Sequence, residues 1–337
     1  MTVGIQEMNP RLTHLYILFP DQFNHNSNLH SQGCLDSMYA EQRDHQYASF
    51  GATYLKYRKV VAEWMVDVCE YFTLHQTTTH AAISYLDRLQ PHEKFSRFEW
   101  QMIAISCILI ASKYNECEDH VPDLATLEDI TQQAITNETV LQYELWALKR
   151  MGWKLNARAP ICFLCSFMVK GLIFDSDVLL GSNTTLSMRE AGPDAMRQVE
   201  SQAEELARKY AGHCILDANF KSFIASDVAC AIVFCARQQV GCREPWDAKL
   251  ITHTGLRENP YESQEVRDII HLLGEADLTT SASSILLPPR HGRGAEQSHE
   301  ALRSQVNEDE AHDMTVMRDP SPSNKENLHP EINVSVK

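Results

Sequence analysis

The sequence predicts an all-α protein made of two successive sets of five helices, with polar tails at both ends. Apolar residues recur at intervals of three and four over most of residues 51–276, the periodicity of helices that bury one face. The third predicted helix of each set is apolar on nearly every side, as expected for the central helix of a bundle. No segment alternates strongly enough to predict a strand.

Composition divides the chain into four parts. Residues 1–50 are polar and rich in histidine, with one short helix predicted around residues 36–48. Residues 51–156 form the first helical set and residues 157–276 the second, joined by a short link. Residues 277–337 are rich in Ser, Pro and acidic residues with few aromatics, which predicts a disordered tail.

The helices are placed by apolar spacing and by residues that start or stop helices. In the first helical set they are predicted over residues 60–72, 81–89, 98–113, 124–131 and 140–148. The threonines at 77–79 are predicted to cap the second helix, Asn137 to cap the fifth, and Gly152 to end it. In the second set, with a polar interruption at 181–193, helices are predicted over residues 161–168, 196–210, 220–238, 245–254 and 260–273.

Charge and composition exclude several classes of protein. A net charge of −15, without any dense basic cluster, argues against binding to nucleic acid. The longest apolar run, residues 102–111, has about half of the ~20 residues that a bilayer crossing needs, so no membrane association is expected. The first residues lack the features of a secretion signal. Most of the ten cysteines fall in apolar helical patterns, which predicts free thiols in a reducing compartment, the nucleus or the cytoplasm.

Motifs for catalysis are missing from the sequence. It has no Gly-rich phosphate loop, no His-Glu-x-x-His and no nucleophile elbow. Cys162 and Cys165 form a C-x-x-C on an apolar helix, without a second pair at zinc spacing. We therefore predict no catalytic residue, no cofactor and no metal site.

Residues 57–89, YRKVVAEWMVDVCEYFTLHQTTTHAAISYLDRL, resemble the opening of the cyclin box. In that family an Arg stands near the start of the first helix, a Trp follows six residues later, and Tyr-Leu-Asp-Arg ends the second helix. Here these are Arg58, Trp64 and the tetrapeptide that contains Asp87. The third helix ends in Ala-Ser-Lys-Tyr, and Glu144 stands at the family's second signature position. The fold implied is two tandem five-helix cyclin-box domains; residues 113–127 and 208–231 are most similar to J-type cyclins.

The resemblance implies a regulatory subunit that binds and activates a cyclin-dependent protein kinase in cell-cycle control, and that is not itself an enzyme. In cyclins the lysine and glutamate that match Lys113 and Glu144 bond to main-chain groups beside the regulatory helix of the kinase. Tyr114, Glu116 and Leu148 are expected to lie in the same interface. The alternative is a solvated ion pair that only joins two helices of the bundle.

A second stretch resembles the docking groove that cell-cycle cyclins offer to basic-hydrophobic motifs of substrates and inhibitors. We call it the docking patch; its residues are Tyr57, Val60, Val61, Trp64, Asp67, Trp100 and Gln101. Tyr57 and Trp100 depart from the family pattern, and their rings could narrow the groove. An ordinary amphipathic helix packed on its core is an equally good interpretation. By the same resemblance Arg58 and Asp87 form a structural ion pair between the first two helices.

The tail carries Lys325-Glu326-Asn327, which resembles the KEN box, a degron recognised by the anaphase-promoting ubiquitin ligase. Ser321 precedes a proline and is a candidate phosphorylation site for a proline-directed kinase. Two other functions stay open, a transcriptional cyclin and a TFIIB-like transcription scaffold. The scaffold would need a basic surface that faces DNA, which the acidic composition does not favour.

Overall fold

The computed structural model describes residues 27–42, 50–90, 95–131, 136–157, 159–180, 185–256 and 258–275. Within these ranges the chain forms eleven α-helices, three short 3-10 helices and one two-stranded sheet, which confirms the predicted all-α class. The α-helices are α1 (Ser27–Gln42), α2 (Ala52–Tyr71), α3 (Gln76–Leu89), α4 (Arg97–Asn115), α5 (Leu124–Thr131), α6 (Asn137–Arg150), α7 (Pro160–Lys170), α8 (Met188–Leu216), α9 (Ala225–Gln239), α10 (Ala248–Thr254) and α11 (Gln264–Glu275). The 3-10 helices are Glu118–His120, Ala218–Ser222 and Pro260–Glu262.

Helix α4 is the centre of the first helical set, as its apolar sequence predicts. Every residue from 100 to 112 is buried, and the helix packs between α3 and α6. Its start is fixed by a capping box, in which Ser96 accepts from the amide of Glu99 and the Glu99 carboxylate accepts from the amide of Ser96. This leaves the last turn, with Lys113, as the point where the helix emerges from the core.

Helix α9 has the same central position in the second helical set, between α7, α8 and α11. Helix α8 is longer than predicted and contains a kink at Gly192, whose φ of 85° interrupts the helix just before Pro193. The positive φ of Gly192 and the proline that follows it interrupt the helix, which agrees with the polar, non-helical sequence pattern at this point. In the described part of the chain, no helix is both long enough and apolar enough to cross a bilayer.

The expectation of no strands is wrong for one small element. β1 (Val178–Leu180) pairs antiparallel with β2 (Thr185–Ser187). On its other side β1 bonds to the end of α9, where Leu180 donates to the carbonyl of Gly241 over 2.7 Å and Arg243 donates to the carbonyl of Val178 over 2.8 Å. Strands of three residues are too short to display a recognisable alternation, so these backbone bonds decide the structure.

Several helix boundaries also differ from the predictions. The N-terminal helix begins at Ser27 and ends at Gln42, earlier than the predicted 36–48, of which residues 43–48 lie outside the described ranges. The cap of α3 is the His75 side chain, which accepts from the amide of Thr77, and the cap of α6 is Thr136. The predicted 220–238 helix is divided at residues 223–224 into a 3-10 turn and α9.

Helix α1 packs on the second helical set although it precedes the first. Leu35 is fully buried in the second core, and the ring of Tyr39 lies 5.3 Å from that of Phe163. The side-chain amide of Gln42 donates to the Ser226 hydroxyl over 2.9 Å and accepts from its amide over 3.2 Å. Conversely, a residue of the second set packs in the first core: Ile215, at the end of α8, is buried there. The two sets therefore exchange contacts through α1 and through the end of α8.

Candidate functional site

The predicted central pair is formed where two helices of the first helical set meet at the surface. Lys113, in the last turn of α4, donates from Nζ to Oε1 and Oε2 of Glu144 on α6, over 2.6 and 2.8 Å. The side chain of Lys113 is 50% exposed, whereas that of Glu144 is 8% exposed. An ammonium group has three donors, so two bonds to one carboxylate still leave a donor directed toward solvent or a partner.

The three neighbours predicted with this pair differ in their surroundings. Tyr114 is exposed, and its hydroxyl donates to Oδ1 of Asn156 over 3.2 Å. Leu148 is half-buried and packs against the first core. Glu116 ends α4, and its Oε1 accepts from the amide of His75 over 2.8 Å and from the hydroxyl of Thr78 over 2.5 Å. Glu116 thus fixes the end of α4 against the start of α3.

Two large exposed apolar side chains, one on α6 and one just after it, were not predicted from the sequence. Leu141 is 62% exposed and precedes Glu144 by one turn of α6, while Trp153 is 63% exposed just after α6 ends. Gly152 marks this helix end in the sequence, so the residue that follows it was a recognisable candidate. Leu141 thus lies on the same helix as Glu144, and Tyr114 follows Lys113 in the chain, so exposed apolar side chains accompany the charged pair, the composition of a protein interface.

The docking patch is mostly covered in the isolated chain. Val61, Trp64, Trp100 and Gln101 are buried, and Tyr57, Val60 and Asp67 are half-buried. The ring of Trp100 stacks at 6.1 Å on Tyr54 and meets the edge of Tyr57 at 5.9 Å. The two aromatic residues that depart from the family pattern are thus packed together, and substrate docking at this surface stays a prediction.

Arg58 and Asp87 form a buried ion pair at the junction of the two helical sets. Nε and Nη2 of Arg58 donate to the two oxygens of Asp87 over 2.6 and 3.0 Å. The same guanidinium donates to the carbonyls of Ile215 and Leu216 at the end of α8. Lys221 adds a second cation, 3.0 Å from Oδ2 of Asp87. The pair therefore joins the first two helices and also connects the first set to the second.

The charge states of this cluster follow from its contacts. Burial raises the pKa of Asp87, but Lys221 and the Arg58 guanidinium more than offset it, so that the pKa lies below its ordinary value. Burial lowers the pKa of Lys221, against the opposing attraction of Asp87. Tyr54 donates its hydroxyl to Asp87 over 2.7 Å, so the carboxylate accepts from three side chains. A charge this well satisfied supports a structural role.

The second helical set contains a similar buried cluster, which the sequence analysis missed. Arg237, fully buried in α9, donates to both oxygens of Asp177 over 3.0 and 2.8 Å. It also donates to the carbonyls of Leu172, Glu244 and Pro245. An arginine near the end of an apolar helix is the only sequence sign of this arrangement, because Asp177 lies 60 residues away.

His80 lies at the junction of the two helical sets. It is 1% exposed, and burial, together with the charge of Lys221, lowers its pKa to about 3. It lines a small cavity with Pro160, Cys214, Phe220 and other residues of the second set. The imidazole is therefore a neutral part of the contact between the two sets.

Four predicted site residues lie outside the described residues. They are Ser321, Lys325, Glu326 and Asn327, all within the tail of residues 277–337. The phosphorylation site and the degron stay predictions.

Two tandem helical sets, each with a buried central helix and with a Lys–Glu pair at the surface of the first, define the cyclin-box class of protein. The family models agree with this fold. The cyclin N-terminal domain matches residues 24–156 and the cyclin C-terminal domain matches residues 188–287, together more than half of the chain. The chain belongs to the cyclin family.

Relatives with known names are cyclins of several types. The chain is 28% identical to Cyclin-D of Ostreococcus tauri over 57% of its own length and 49% of that protein. It is 25% identical to Cyclin-A2-1 of Arabidopsis thaliana, over 68% of this chain and 46% of that protein. It is 27% identical to the G2/mitotic-specific cyclin S13-7 of Glycine max, over 64% of this chain and 71% of that protein. The matches thus span less than half of the first two relatives, and the J-type resemblance stays a prediction.

A solved structure supports the fold alone. A viral cyclin from herpesvirus saimiri superposes with a TM-score of 0.51 at 17% identity, covering 73% of this chain and 99% of that one.

Proposed function

We propose that this chain is the regulatory subunit of a cyclin-dependent protein kinase, and that the Lys113–Glu144 pair is the centre of its kinase-binding surface. The observation that carries the proposal is the position of this pair. A half-exposed ammonium and an almost buried carboxylate lie together at the surface, and Leu141 and Tyr114, exposed on the same segments, accompany them. The names of its relatives support a role in control of the cell cycle.

The chemistry of the pair suits the recognition of main-chain groups. Lysine supplies up to three donors and glutamate two acceptor oxygens, so together they can satisfy a partner's amides and carbonyls without reading its side chains. A kinase is active only when its own Lys–Glu pair and its activation segment are correctly placed. A subunit that binds one arrangement of the kinase more tightly than the other shifts the population toward that arrangement. This chain would then contribute no catalytic group of its own.

Binding of purified variants to a cyclin-dependent kinase tests the proposal. We expect Lys113→Ala to lower the affinity by ~30-fold or more, because the kinase groups that Lys113 satisfies would stay buried and unpaired. Lys59→Ala is the matched control. The side chain of Lys59 is 73% exposed and forms a 4.0 Å ion pair with Glu63 on the same helix. Full binding by Lys113→Ala would show that the pair is not the interface.

The docking patch is proposed as a second, weaker contact, for basic-hydrophobic segments of substrates. The Gln101 side-chain nitrogen is buried and has no hydrogen-bond partner among the described residues, so it can donate to a peptide carbonyl once the aromatic rings move aside. Tyr57→Ala tests this surface better than a change at buried Trp64. If the rings of Tyr57 and Trp100 close the groove, the variant binds a basic-hydrophobic peptide more tightly than the parent; an equal, unmeasurable affinity for both would end the docking proposal.

The tail is proposed to set the lifetime of the protein in the nucleus or cytoplasm. The Lys325-Glu326-Asn327 triplet stands in a polar region rich in Ser and Pro, a setting in which a receptor can bind an extended chain. Replacing the triplet by alanines should lengthen the half-life through mitotic exit if the anaphase-promoting ubiquitin ligase recognises it. An unchanged half-life would remove the degron, and Ser321→Ala separately tests the phosphorylation site.

A further inference from the structure

Helix α3 ends with side chains that bond to the segment after α6. Arg88 donates from Nη2 to the carbonyl of Met151 over 2.9 Å and from Nη1 to the carbonyl of Lys154. One turn earlier on α3, Tyr85 donates its hydroxyl to the carbonyl of Leu155 over 2.6 Å. Three main-chain carbonyls between residues 151 and 155 are therefore fixed by a different helix.

The two carbonyls that Arg88 bonds enclose a pair of left-handed residues, Gly152 at φ 63° and Trp153 at φ 60°. Gly152 is at the usual glycine position of a helix end, since its amide donates to the carbonyl of Lys149 and the next amide donates to that of Leu148. Trp153 is unusual, because a side chain with a Cβ is disfavoured in this backbone conformation. Such a conformation persists only where surrounding contacts impose it.

Trp153 is exposed, and a hydrogen bond connects its segment to the end of α4, which carries the proposed kinase surface. Trp153 is 63% exposed, and Tyr114, adjacent in sequence to Lys113, bonds to Asn156 three residues further on. Exposed tryptophan is a typical anchor of protein interfaces, and an anchor that is already fixed loses less conformational entropy on binding. Backbone strain at an exposed aromatic residue thus has a functional explanation here.

We infer that Arg88 is a positioning residue for partner binding: by holding the carbonyls of Met151 and Lys154, it presents Trp153 to an apolar pocket on the kinase. This inference rests on the proposed function, which supplies the partner. Arg88 does not touch the kinase; it acts on binding by holding the backbone around Trp153. An arginine suits the task because its planar fork reaches two acceptors at once, which a lysine ammonium on a flexible stem does less well.

A double-mutant cycle on the full chain tests the inference, using a purified cyclin-dependent kinase that binds the parent. Trp153→Ala should weaken binding by about 30-fold and Arg88→Met by about 10-fold. Because the proposed effect of Arg88 on binding requires Trp153, the double variant should bind no more weakly than Trp153→Ala alone. Additive effects, or an Arg88→Met variant that binds like the parent, would overturn the inference. Arg88→Lys should recover only part of the loss.

A control and a second readout separate positioning from simple loss of stability. Arg267 also donates to two neighbouring carbonyls, those of Tyr261 and Glu262, but in the second helical set, so Arg267→Met should leave kinase affinity unchanged. Acrylamide quenching, compared between each protein and its Trp153→Phe counterpart, isolates the Trp153 signal. Arg88→Met should change that signal without unfolding the protein, and an unchanged signal contradicts the inference. If no kinase binds the parent, the proposed function fails, while quenching still decides whether Arg88 holds Trp153.

Discussion

Lys113 and Glu144 form an ion pair whose two members are unequally exposed: half of the lysine side chain is open to solvent, while the glutamate is almost buried. The carboxylate therefore depends on the ammonium more than the reverse, because water can replace Glu144 as a partner of Lys113 but reaches Glu144 poorly. This asymmetry separates the contribution of the pair to stability from its role in binding.

The first prediction concerns the stability of the isolated protein. Lys113→Ala should cost about 1 kcal/mol, a small effect because the lysine side chain is half exposed. Adding Glu144→Gln in the same chain should restore part of that loss, since it removes the carboxylate left without a cation. Urea unfolding of the parent, the single variant and the double variant measures both steps. A double variant less stable than Lys113→Ala alone would contradict the predicted asymmetry.

The ion pair between Arg58 and Asp87 should matter far more for folding. Arg58→Met leaves a buried carboxylate with only Lys221 as cation and frees two carbonyls at the end of α8, so we expect a loss of ~3–5 kcal/mol. Arg197→Met is the control, because the pair of Arg197 with Asp194 is exposed and should contribute less than about 0.5 kcal/mol. Comparable stabilities of the two variants in thermal unfolding would refute this assignment.

Arg237 in the second helical set is predicted to be equally important. Arg237→Met removes both bonds from the guanidinium to Asp177 and the bonds to three carbonyls, and should cost ~3–5 kcal/mol. Arg237→Lys keeps the charge but cannot reach all of these acceptors, so it should retain only a part of the stability that Arg237→Met loses. Circular dichroism during heating compares the variants. The idea fails if Arg237→Met lies within about 1 kcal/mol of the parent.

His80 predicts a dependence of stability on pH. Its pKa of about 3 in the folded chain lies below the ordinary value of ~6.5, so the unfolded chain binds a proton that the folded chain refuses. The contribution of His80 to the free energy of unfolding is therefore constant above pH ~6.5. It is lost as the pH falls toward 3, by up to ~1.4 kcal/mol per pH unit.

Denaturant unfolding between pH 7.5 and 4.5 tests this dependence. In a plot of the free energy of unfolding against pH, His80→Leu should remove the part of the slope that this one group causes. His271→Leu, at a position where the side chain is 73% exposed, should keep the slope of the parent. Identical slopes for His80→Leu and the parent would exclude the predicted effect.

The sequence determined the helical class, because the periodicity of apolar residues over 51–276 leaves few other ways to bury them. It also determined the central helices: α4 and α9 are apolar almost all round and therefore had to be interior. Lys113 and Glu144 were found as a pair because a family resemblance supplied the spacing. Short elements with little periodicity were missed, as β1 and β2 show.

Tertiary structure alone decided which distant groups meet. Nothing in the local sequence indicates that Arg58 bonds to carbonyls at 215 and 216, that Arg237 pairs with Asp177, or that α1 belongs to the second core. The same holds for Arg88 and the backbone around Trp153. The physical reason is that local sequence specifies the buried face of each helix, whereas the partner of a buried charge is set by how those faces stack in three dimensions.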